Sequence, residues 1–170
     1  KEFDSILKKY TENLKPISNE IYTNATKYSY QIEKYLKEGK AVITTSIDAG
    51  TIETFKKIRG VKVLEKVLSN LKKYYNAASK GIIIKYVLTK DNYDIKELDA
   101  FVKKIVEYGL QNCDFQISSD FKDENIADLQ IINAIKLHNK LIDVGAKFCF
   151  FDYHLRPRIK NKLNKKSNLN

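Results

Sequence analysis

The chain has 170 residues, 43% of them hydrophobic and 31% charged, with a formal net charge of +10. That length suits one globular domain with a sizeable core. No apolar run approaches the length needed to cross a bilayer and no signal-peptide pattern is present, so a cytoplasmic location is expected. The two cysteines, Cys113 and Cys149, lack the spacing of a zinc or thiol-redox motif and read as small buried apolar residues in a reducing compartment.

The elements alternate along the chain. Phe3, Ile6, Leu7, Tyr10 and Leu14 recur at helical spacing, and Pro16 closes that helix. Ile17–Thr23 reads as a short strand, and Tyr28–Glu38 as a helix ended by Gly39. Ala41–Asp48 is a strand, and Thr51–Tyr75 is one long helix or two short ones split near Gly60. The β-branched run Ile82–Leu88 has the character of a buried parallel strand. Asp94–Tyr108 is a helix with Leu98, Phe101, Val102, Ile105 and Val106 on one face, ended by Gly109. Asp114–Ser118 is the next strand, Ile126–Val144 a strongly amphipathic helix, and Lys147–Phe151 a final strand. Residues 1–155 form the domain, and the Lys- and Arg-rich segment 156–170 is a helix end, basic tail or linker.

Such alternation implies an α/β fold in which right-handed helical crossovers join parallel strands. In both closed and open sheets of that kind, ligands bind at the C-terminal ends of the strands. Neither a Gly-rich dinucleotide fingerprint nor a P-loop is present. Outside segment 156–170 the positive charge is spread over helix faces, so specific nucleic-acid binding is not expected. His138, and His154 beside Asp152, read as surface groups rather than an acid–base pair. Tyr74, Tyr75, Phe148, Phe150 and Phe151 fall at core spacing and read as packing.

Two strand ends carry unusual chemistry. In Ala41–Asp48, the residues Val42, Thr44, Ser46 and Asp48 share one face, which grows polar toward the end; Ala41, Ile43, Thr45 and Ile47 share the other. Thr51 suits a helix cap, but Ser46 lies too far upstream for that role. Lys85 sits among apolar neighbours on the face of Ile83 and Val87. A lysine there either reaches out or pairs with a carboxylate such as Asp48, or it meets the anion of a ligand.

The order TSIDAGTIETFKKIRGV, VLEKVLSNLKKY, IIIKYVLTKDNYD, ELDAFVKKIVEYGL resembles the middle and C-terminal part of a radical SAM enzyme, and EIYTNATKYSYQIEKYLKEG resembles that family's third strand and Thr-Asn turn. The resemblance runs from about Glu20 to Ser119. It implies a parallel-stranded partial TIM-like barrel, here incomplete, with about five strands inside and helices outside. It also implies S-adenosylmethionine and a [4Fe–4S] cluster as cofactors of the parent protein, which would generate a 5′-deoxyadenosyl radical for modification of an unknown substrate. By position, Ser46 corresponds to the residue on the ribose, Asp48 lies beside it, and Lys85 corresponds to the partner of the methionyl carboxylate. Thr23 and Asn24 correspond to the turn near the ligand's polar end, and Ile117 is placed inward against the adenine. Asn92 is expected to stabilise the turn after its strand.

The family's three cysteines, spaced C-x3-C-x2-C, are absent, as is its Gly-Gly-Glu-Pro-like segment. No metal ligand or catalytic residue is therefore expected in this chain. With no methionine and a start at Lys1, it is expected to be a piece of a longer polypeptide that lacks its N-terminal segment and is inactive alone. The other reading is a non-catalytic α/β binding or assembly module with a basic surface. Without the first strands an exposed barrel edge is expected to promote self-association.

Overall fold

Five strands pair side by side in the order in which they occur in the chain. The computed structural model describes residues 2–14, 19–120 and 126–167. Among them the elements are α1 (Glu2–Leu14), β1 (Asn19–Tyr22), α2 (Tyr30–Lys37), β2 (Ala41–Ser46), α3 (Ile52–Arg59) and α4 (Leu64–Ala78). They continue with β3 (Ile82–Leu88), α5 (Ile95–Glu107), β4 (Asp114–Ser119), α6 (Asp128–Asp143), β5 (Cys149–Phe151) and α7 (Leu155–Ser167). Pro16 and Ile17, the expected helix stop and strand start, lie outside the described residues.

All four strand pairs are parallel, and the sheet runs β1-β2-β3-β4-β5 without closing. This is the α/β architecture expected from the sequence, an open sheet in the manner of a partial TIM-like barrel. The register fixes the two faces. Thr44 is opposite Tyr22 and Ile83, Ser46 is opposite Lys85, and Lys85 is opposite Gln116. These residues, with Val87 and Ser118, form the face that helices leave open.

The other face carries the core. Ile43, Ile82, Ile84, Tyr86, Phe115 and Ile117 are buried, as are Leu68 and Leu71 of α4, Phe101 and Ile105 of α5, and Leu137 of α6. Fully burying an aliphatic side chain of this size contributes about 1.5–3 kcal/mol, which makes this layer the main source of stability.

Local sequence sets the breaks. Gly60, at φ +78°, takes the left-handed turn that closes α3 after Arg59, so the segment from Thr51 is two helices rather than one. Thr51 caps α3 by accepting the Thr54 N–H at 3.2 Å.

The C-terminal segment differs from expectation. From Leu155 it is helical through Ser167, with Leu155 and Ile159 buried, and it packs on β4 and α6. Pro157 falls in its first turn, where a missing N–H breaks no helical bond. The Asp152 carboxylate accepts the His154 and Leu155 N–H groups at 3.1 and 2.9 Å and the Ser118 hydroxyl, which anchors the helix to the end of β4.

Candidate functional site

At the C-terminal ends of β1 and β2, on the open face, lies a cavity of about 460 Å³. It is lined by Tyr22, Thr23, Asn24, Thr26, Thr44, Ser46, Phe55, Arg59 and Val61. Its size falls within the ~300–1,000 Å³ typical of small-molecule sites.

The floor comes from β2. Thr44, 4% exposed, has a hydroxyl with no hydrogen-bond partner among the described residues. A buried hydroxyl in that state is costly and supplies both a donor and an acceptor to anything that enters. Ser46, two residues further along the same face, extends this polar floor.

One wall is the turn after β1. The Thr23 hydroxyl accepts the Ala25 N–H at 3.1 Å, and the Asn24 side-chain oxygen accepts the Thr26 N–H at 3.1 Å and its hydroxyl at 2.8 Å. Ala25 holds a left-handed φ of +52°, and its carbonyl accepts the Asn70 amide at 2.8 Å. A non-glycine residue in that region stores strain, so the turn is held in place by its surroundings.

The opposite wall comes from α3 and the residues just after it. Phe55 and Val61 supply apolar surface and Arg59 a guanidinium. Arg59 is fixed from behind by the Asp48 carboxylate, which is 3% exposed, while its second oxygen accepts the Val87 N–H at 2.8 Å. Burial pushes the Asp48 carboxyl above its usual range, while Arg59, the Val87 N–H and the Lys85 charge pull it back down. Asp48 therefore serves Arg59 and the strand edge, and the cation it holds lines the cavity.

The loop carrying Asp48 is clamped on its far side. The Glu97 carboxylate of α5 accepts the Gly50 and Thr51 N–H groups at 2.6 and 3.0 Å. A Cβ at Gly50 would stand 2.2 Å from the Phe101 nitrogen, so only glycine permits this approach. Asn92 joins the turns after β2 and β3, donating to the Asp48 and Val87 carbonyls at 2.9 and 2.8 Å and accepting the Thr89 N–H at 2.7 Å. It stabilises that turn, as its place in the sequence suggested.

Of the residues singled out in sequence, Thr23, Asn24 and Ser46 meet in the cavity. Asp48 stands behind Arg59. Lys85 lies one strand over, opposite Ser46 in register and close enough for its charge to act on Asp48. Ile117 is elsewhere: it pairs in register with Tyr86 on the helix-covered face and is fully buried, so the inward placement does not hold. Arg59, Thr44 and Tyr22 complete the cavity and were not singled out as ligand contacts.

No family model matches the chain, and no curated protein matches it in sequence. The likeness is in the backbone. The chain is similar to a solved radical SAM methyltransferase from Sphaerobacter thermophilus. The TM-score is 0.55 at 10% identity, covering 78% of this chain and 39% of that one. At that identity the shared property is the fold, and this chain spans about two-fifths of its neighbour's length.

The described residues do not fit an iron–sulfur cluster. No group of three or more His, Cys, Asp or Glu among them is arranged to hold a metal ion. Cys113 and Cys149 lie at the N-terminal ends of β4 and β5, away from the cavity, and burial pushes each thiol up to about 12. Thiols held in that state are poor thiolate ligands. No helix among the described residues is long and apolar enough to cross a membrane.

Proposed function

We propose that this chain supplies the S-adenosylmethionine-binding rim of a radical SAM-type barrel, and that the cavity beside β2 receives the ribose and methionyl end of that ligand. One observation carries the reading: a buried hydroxyl without a partner among the described residues, Thr44, and a carboxylate-anchored guanidinium, Arg59, face the same cavity at the strand ends where such folds bind ligands. The fold likeness supports it.

In this reading Ser46 and Thr44 hydrogen-bond the ribose or the methionyl end. Arg59 provides the cation for the methionyl carboxylate, and Lys85, opposite Ser46 one strand over, adds its positive charge to that side of the site. Thr23 and Asn24 shape the wall nearest the ligand's amino-acid part. The cluster that would reduce the ligand belongs to residues other than those described, and this chain's share of the chemistry is binding and orientation. Radical formation and the substrate are properties of a longer protein.

Equilibrium dialysis with labelled S-adenosylmethionine tests the reading, with adenosine as competitor. Loss of a hydrogen-bonded charge partner is worth about 1.5–3 kcal/mol, so R59A is expected to weaken binding about 10- to 150-fold. S46V is expected to weaken it less. Equal affinity for adenosine and S-adenosylmethionine, or an R59A variant that binds like wild type, would overturn the proposal.

A further inference from the structure

Lysine is common throughout this chain, and most helices balance it. α2, α3, α4, α5 and α6 each carry at least one acidic residue in the first turn. α7 carries none anywhere: six of its 13 residues are Lys or Arg, against a net charge of +10 for the whole chain. The charge is therefore segregated in one helix, and the structure shows where that helix lies.

α7 does not return along the barrel wall as a crossover helix does. The Arg158 guanidinium reaches the Ser119 hydroxyl at 3.5 Å, at the C-terminal end of β4. One turn later, Lys162 pairs with Asp128, the first residue of α6. Both anchors are on the rim, so α7 runs across the C-terminal end of the barrel, held by Asp152 at its start and by buried Leu155 and Ile159 beneath.

With Arg158 and Lys162 turned to the protein, Arg156 and Lys160 point outward. Both are exposed, stand four residues apart on one side of the helix, and form no ion pair among the described residues. Just ahead of them Tyr153 is 77% exposed, and its ring is tilted by 41° against that of His154 with centroids 3.9 Å apart. A flat aromatic beside a row of cations is the chemistry that grips a single-stranded nucleic acid, by base stacking and phosphate pairing.

We infer that α7 and Tyr153 form a docking surface for a single-stranded nucleic acid at the barrel rim. The inference is independent of what fills the cavity beside β2.

Fluorescence anisotropy with labelled 12-nucleotide uridine and thymidine strands tests it, with salt titration. R156E/K160E is compared with K66E/K72E, which makes the same charge change on the exposed side of α4. The expected result is wild-type binding that R156E/K160E weakens at least about tenfold, with the salt slope reduced by about 1.4, while K66E/K72E binds nearly as wild type. Y153A is expected to weaken binding about fivefold or more while leaving heparin binding unchanged. Equal loss in both charge-reversal variants would overturn the inference, because net charge alone would then explain binding. Absence of binding by wild type, or tighter binding to vesicles containing phosphatidylserine, would overturn it as well.

Discussion

Removing the Asp48 carboxylate separates its two duties. In D48A the Val87 N–H loses its acceptor, and a donor left without a partner costs about 1–3 kcal/mol. Arg59 also loses its ion pair, but its side chain is 39% exposed, so water takes over and little is added. At about 2–4 °C per kcal/mol for a chain of this size, D48A is expected to melt about 2–12 °C below wild type. D48N keeps a carbonyl oxygen for Val87 and removes a buried charge, so its melting temperature is expected to stay near that of wild type.

The two variants also differ in pH dependence. Burial raises the Asp48 carboxyl in the folded chain, so that state holds its proton more tightly than the unfolded chain does. Wild-type stability from this group is thus greatest below the ordinary carboxylate range and declines as pH rises through the folded value. D48N has no such titration, so its stability relative to wild type is expected to improve as pH rises through that window. Thermal unfolding followed by circular dichroism from about pH 4 to about pH 8 measures both effects. A D48A melting temperature within about 1 °C of wild type, or a D48N profile parallel to wild type, would refute the reasoning.

Three further outcomes are expected. G50A must displace the α5 backbone to admit its Cβ, so a loss of at least about 3 kcal/mol and poor soluble yield are expected, read by thermal melt and expression. E97Q retains one acceptor for the Gly50 and Thr51 N–H groups but loses the charge, a cost of about 1 kcal/mol, while E97A is expected to cost about twice that by denaturant titration. Cys113 and Cys149, with thiols pushed up to about 12 by burial, are expected to resist a disulfide reagent in the folded chain near neutral pH and to react promptly in denaturant.

The alternation of apolar and polar residues exposed most of this fold before any coordinates. It placed the strands in order and assigned Thr44 and Ser46 to one face of β2, as found, because a strand covered on one side keeps a two-residue period. The same rule, applied consistently, would have sent Ile117 outward to the helices with Phe115 and left Gln116 and Ser118 on the open face. Arg59 was illegible as a cavity residue because it stands at the far end of α3 from Ser46, and only the turn at residues 47–51, which lays α3 back over the strand ends, brings them together. The pairing of Arg59 with Asp48 is likewise tertiary. The placement of α7 had a faint local signal in Asp152, three residues ahead of Leu155, a spacing that suits a cap. Charge composition alone concealed it, since a run of lysines looks alike whether it is anchored or not.

The most direct test of the central claim is a two-dimensional amide NMR titration of the chain with S-adenosylmethionine. The account predicts shifts concentrated at Thr23, Thr44, Ser46 and Arg59, with the largest changes lost in R59A. An unperturbed spectrum at millimolar ligand, or shifts confined to the N-terminal ends of the strands, would contradict it.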